Sequence, residues 1–80
     1  MNVFKNRIEE LDKGINYVSN HKYRIDMDDR ERTYYNAAIR SIRGDIKVTN
    51  KYILNNLEEL SKNDIKVLLQ KIVEIESKFS

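Results

Sequence analysis

The stretch from Asp28 to Leu60, DDRERTYYNAAIRSIRGDIKVTNKYILNNLEEL, decides how this chain folds. Its apolar residues Tyr35, Ile39, Ile42, Ile46, Ile53 and Leu60 recur at spacings of four, three, four, seven and seven, which is the period of one face of an α-helix. Ala38 and Leu57 widen that stripe, while Thr49 and Asn56 are polar residues in its seam. Asp26 and Asp28 are both suited to cap the helix start, and Asp28 with Glu31 has capping-box spacing. Asp29 and Glu31 add negative charge in the first turn, where the helix dipole favours it. Gly44 is the weak point. At 100° per residue Ile39, Ile42 and Ile46 stay within about 60° of one another across it, so one helix from about residue 27 to about residue 60 is the simplest reading. A break at Gly44, with Asp45 capping a fresh helix, is the alternative.

On the N-terminal side, Phe4, Ile8, Leu11, Ile15 and Val18 again follow a helical period and predict a helix over about 3–19. Gly14 lies off that stripe and costs about 1 kcal/mol relative to alanine, so this helix depends on packing. Tyr17 lies beside the stripe as a half-buried shoulder. The run Ser19-Asn20-His21-Lys22-Tyr23-Arg24 is polar and aperiodic and reads as a connection. On the C-terminal side, Ser61 and Asp64 have the spacing of an N-cap pair ahead of Ile65, Leu68, Leu69, Ile72, Ile75 and Phe79, which predicts a helix over about 62–79. The fold class is therefore all-α: three amphipathic helices, the middle one long, in an antiparallel bundle within a single domain.

Length turns this into a question of assembly. An unbroken middle helix is about 50 Å long, against about 25 Å for each neighbour. Short connections would fold helix one along the first half of helix two and helix three along its second half, leaving two-helix hairpins with apolar strips in water. A homodimer with two-fold symmetry covers those strips. Tyr35, Ile39, Ile42, Ile46, Thr49, Ile53, Asn56 and Leu60 form the candidate dimer or core seam, in which Thr49 and Asn56 set register or, if the stripe drifts, simply face outward. The alternative is a compact monomer in which Gly44 bends the middle helix back.

Composition narrows the chemistry. The chain has 80 residues with no cysteine, no proline, two glycines and one histidine, so disulfides are excluded and His21 has no thiolate partners for zinc. The N-terminal residues alternate apolar and charged types and do not form a secretory h-region, and no run reaches the about 20 apolar residues a membrane span needs. A cytoplasmic protein, of the producing cell or of an infected host, is expected. The glycines are too far apart for a phosphate loop, and His21 lies in a polar connection rather than beside a serine and a carboxylate. The pairs Glu9-Glu10, Asp28-Asp29 and Glu58-Glu59 diverge by about 100° on a helix and read as solvated surface. A non-enzyme without cofactor or metal is expected.

Two surfaces on the middle helix remain. Arg40, Arg43, Lys47 and Lys51 lie within about 80° of one another over about 16 Å, with Asn36 on the same side, and Lys22 and Arg24 extend the stripe. Such a flank follows a phosphate backbone, meets an acidic protein surface, or is a solvated face paired with acids of neighbouring helices. Tyr34 and Tyr52 share another side as candidate interface aromatics, or else shield the core edge, and Tyr23 is a third aromatic between two charges. The net charge of +2 is small for nucleic acid, and no helix-turn-helix spacing is present. The frequent Asn, Lys and Ile indicate an AT-rich coding genome. Small helical chains of this composition look in general like products of phages and mobile elements of low-GC bacteria that act on host proteins. A protein-interaction module, regulating or inhibiting a larger macromolecule through helix two, is the leading expectation. A nucleic-acid-binding regulator and a structural subunit of a larger assembly are its rivals.

Overall fold

The computed structural model describes residues 2–79 and contains three helices, α1 (Val3–Asn20), α2 (Asp29–Asn55) and α3 (Lys62–Ser77), with no strand among the described residues. Each helix start is held by the side chain of the residue before it. Asn2 accepts a hydrogen bond from the Lys5 N–H at 3.2 Å, and Asp28 accepts one from the Glu31 N–H at 2.8 Å. Ser61 and Asp64 form a full capping box, with the Asp64 N–H on Ser61 Oγ at 3.0 Å and the Ser61 N–H on Asp64 Oδ2 at 3.4 Å. A cap of this kind is worth about 1 kcal/mol. Asp28, not Asp26, caps α2, and its reciprocal half is missing because Arg24 takes the Glu31 carboxylate at 2.6 Å.

α2 is helical without interruption through Gly44 and, at 27 residues, is about 40 Å long. It stops short of the expected end near Leu60. Asn56 is the reason: its Nδ2 donates to the Tyr52 carbonyl at 2.8 Å and its N–H to the Ile53 carbonyl at 3.2 Å, so carbonyls of the last turn are satisfied locally. The N–H groups of Glu59 and Leu60 then both return to the Asn56 carbonyl at 3.0 Å, reversing the chain. Leu60 comes back against the core while Leu57 stays exposed. α3 ends at Ser77, and Phe79, beyond it, folds onto the core as a half-buried ring.

The arrangement differs from the paired hairpins expected from helix lengths. α1 packs on both other helices. Gly14 faces Ile42 of α2 and Ile75 of α3, while Asp12 of α1 meets Lys71 of α3 at 2.6 Å. Positions 12 and 14 thus pair with 71 and 75 in rising order, so α1 and α3 run parallel. Gly14 with Ile42 and Tyr17 with Tyr35 pair in opposing order, so α2 is antiparallel to α1. The result is one up-down-up bundle. Leu11, Val18, Ile42, Ile46, Ile53, Leu68, Ile72 and Ile75 form a single buried cluster with members from all three helices. Leu11, Leu68 and Ile75 have no exposed surface, so a continuous α2 is compatible with a core assembled from one chain, while Leu54, Leu57, Leu69 and Val73 stay exposed.

Gly14 explains how the helices come so close. A Cβ there would stand 3.2 Å from Ile75 Cδ1 and 3.3 Å from Ile42 Cγ2, tighter than ordinary van der Waals contact. The residue off the apolar stripe is therefore at the centre of the packing. Thr49 does not face outward: it is fully buried, and its hydroxyl donates to the Asp45 carbonyl one turn earlier at 2.7 Å. A Thr satisfied by its own helix is compatible with an apolar core and does not by itself specify a register.

The two glycines are expected to respond in opposite directions. Gly44 is exposed, with nothing within 4 Å of a Cβ. Gly44→Ala should therefore stabilise by about 1 kcal/mol, raising the thermal midpoint by about 4–8 °C. Gly14→Leu should destabilise by about 1–3 kcal/mol through overpacking, and a neutral effect in thermal unfolding would contradict the close crossing. Thr49→Val should change stability by no more than about 1 kcal/mol and leave the mass seen by light scattering unchanged; a shift in oligomeric state would instead assign Thr49 the register role.

Candidate functional site

Arg40, Arg43, Lys47 and Lys51 are all exposed on α2. None forms an ion pair with a described residue. The paired, solvated flank considered from the sequence is thus not what forms. Five of the acids pair elsewhere: Asp12 with Lys71, Glu10 with Lys13, Asp29 with Arg32, and Asp26 and Glu31 with Arg24. Asp45, the one acid inside this part of α2, faces α1. Burial raises its pKa above the ordinary carboxylate value, Glu10 raises it further, and Arg7 and Lys13 pull the other way.

Lys22 and Arg24 part company. Lys22 is exposed and unpaired, whereas the Arg24 guanidinium is committed to Glu31 at 2.6 Å and Asp26 at 3.7 Å. That ion-pair group ties the connection between α1 and α2 to the first turn of α2. Met27 anchors the same segment: it is buried, and its Sδ accepts the Arg24 N–H at 3.2 Å. The Met27 carbonyl accepts from Arg32 Nη2 at 2.7 Å.

Pinned in this way, the connection carries Tyr23 back over α2, where its ring lies 5.9 Å from that of Tyr35. Tyr35 also meets Tyr17 at 6.4 Å, and Tyr17 stacks on His21 at 4.2 Å with the rings 9° from parallel. His21 Nδ1 lies 3.1 Å from the Tyr17 carbonyl, which places its proton on that nitrogen to donate. Burial, and then Tyr35, raise the Tyr17 pKa above its ordinary value, so the Tyr17 phenol stays protonated at physiological pH. From the other direction α3 brings Phe79, whose ring lies under the Arg43 guanidinium at 5.3 Å, a cation–π contact.

Two open hollows share Tyr23, Tyr35 and Phe79. The first, of about 490 Å³, is walled by Tyr23, Tyr35, Ile39, Arg40, Arg43 and Phe79, with Asn36 at its edge. The second, of about 510 Å³, shares Tyr23, Tyr35 and Phe79 and adds Lys22 and Lys78. The basic flank thus runs directly out of an aromatic groove at one end of the bundle. Periodicity assigns Phe79 and Tyr35 to apolar stripes and leaves Lys78 as a C-terminal charge, so their shared role in one groove was missed. No local signal marks it, because it arises where the connection, α2 and the end of α3 meet.

The remaining candidates separate. Tyr52 is half-buried against the core, whereas Tyr34 is 66% exposed. Asn56 and Leu60 lie in the turn after α2 rather than on its seam. Among the described residues no cluster of acids, histidine or cysteine could hold a metal, and no helix is long and apolar enough to cross a membrane. No known protein family, curated protein or solved structure matches the chain.

Asp45 provides a pH test of the α1–α2 contact. Its folded pKa lies above the unfolded value, so the charged carboxylate costs stability above the folded pKa, and that cost disappears below the unfolded value near 3.8. Asp45→Asn should raise the thermal midpoint at neutral pH and bring little gain at about pH 3; equal gains at both would point to a cause other than charge.

Proposed function

We propose that this chain is a small, non-enzymatic protein-binding module that regulates a larger macromolecule in the cytoplasm by occluding an acidic surface, with α2 as its contact element. The observation that carries this reading is the set of exposed cations Arg40, Arg43, Lys47 and Lys51, none of which is paired with a carboxylate among the described residues. Like charges along about 16 Å of helix repel one another, a cost offset when an acidic surface docks. Such a stripe speeds encounter and selects partners by sign more than it adds raw affinity. The aromatic groove beside it supports the same reading, because tyrosine and arginine are the side chains that anchor protein interfaces most often.

One observation favours nucleic acid as a second reading: the exposed Tyr23 ring adjoins Arg40 and Arg43, as a stacking platform adjoins a phosphate track. Against it stand the net charge of +2 and a flank of only a few phosphates' length.

Immobilised wild-type chain and the Lys47→Glu/Lys51→Glu variant distinguish these readings when challenged with nuclease-treated cytoplasmic extract. An acidic protein should be retained by the wild type and lost by about tenfold, equivalent to about 1.4 kcal/mol, in the variant. Equal retention would contradict a role for the flank. Binding of oligothymidylate at low salt, with a log–log salt slope of about −3, would transfer the assignment to nucleic acid.

A further inference from the structure

Among the described residues no carboxylate lines either hollow beside Tyr23. Four cations do: Arg40 and Arg43 in one hollow, Lys22 and Lys78 in the other. None of the four is in an ion pair with a described residue. Beside them lie the half-buried side chains of Ile39, Tyr35 and Phe79 and the Tyr23 ring, which is 56% exposed.

We infer that this end of the bundle is the docking groove for an acidic linear segment of the partner protein. One aromatic side chain of that segment seats against Tyr23, Ile39 and Phe79, and carboxylates on either side of it meet Arg40 and Arg43 and, in the other hollow, Lys22 and Lys78. The inference rests on the protein-binding reading above and names the chemistry of the partner.

Charge and shape both select this occupant. A groove of about 490 Å³ lies within the range of about 300–1,000 Å³ typical of ligand clefts, and its walls combine aliphatic, aromatic and cationic groups. An aromatic anchor removes the apolar wall from water, while flanking carboxylates compensate cations that have no ion-pair partner among the described residues. The Arg43 guanidinium carbon lies 5.3 Å from the centre of the Phe79 ring, so this exposed cation stands directly beside the aromatic wall. Cations in both of the hollows that share Tyr23 match an anchor with acids before and after it.

The experiment is an NMR titration of the full chain with a short synthetic peptide carrying one tryptophan flanked on both sides by Asp and Glu. Control ligands are the same peptide with alanine for tryptophan, the same peptide with lysine for every acid, and oligothymidylate. Saturable shifts at Tyr23, Ile39, Arg40, Arg43 and Phe79 are expected, with affinity reduced about tenfold by loss of the tryptophan and abolished by charge reversal. Tyr23→Ala and Arg40→Glu each alter an exposed side chain, so the helical circular-dichroism signal should persist while affinity falls at least about fivefold. Shifts confined to Lys47 and Lys51, with both acidic peptides binding equally, would overturn the groove while leaving the protein-binding flank intact. Tighter binding of oligothymidylate at the same residues would overturn both, and so would the absence of shifts with every ligand.

Discussion

At Gly14, α1 approaches Ile42 of α2 and Ile75 of α3 so closely that a methyl group would already press on both. The rest of the bundle depends on this crossing. A side chain there would have to displace Ile42 and Ile75, two members of the one cluster that all three helices share. Because glycine weakens a helix by about 1 kcal/mol, its place inside α1 makes sense only through the contacts its bareness permits. Leu11, Leu68 and Ile75 lose all their solvent exposure around this point. Dense packing of branched side chains is what holds together an 80-residue chain without disulfides.

The helix ends position the candidate site. Asp28 starts α2, and Arg24 reaches forward to the Glu31 carboxylate, so the connection is strapped to the helix it precedes. Met27 fixes the same segment from inside. Tyr23 is thereby set against Tyr35, while the parallel course of α1 and α3 delivers Phe79 to the same end. An arrangement of two separate hairpins would have placed the end of α3 against the second half of α2 only, and the groove would not exist.

Charge is distributed as unevenly as shape. Five ion pairs occupy acids around the connection, within α1 and between α1 and α3, and Asp45 turns to α1. What remains is a face of α2 with one sign only. A near-neutral total thus conceals a local excess, which is why net charge was a poor guide to this surface.

The helical class, the three apolar stripes, the caps at Asp28 and Ser61 and the angular grouping of Arg40, Arg43, Lys47 and Lys51 were legible in the sequence. Each depends on residues within a few turns of one another, where period and capping chemistry act. The stop at Asn56 was not, because a seam Asn and a terminating Asn have the same spacing and differ only in where the chain must turn. Nor were the assembly of one core from all three helices, the burial of Thr49, or the meeting of Tyr23, Tyr35 and Phe79. These depend on which helices approach, and that was decided by a glycine whose meaning lies in the side chains of two other helices.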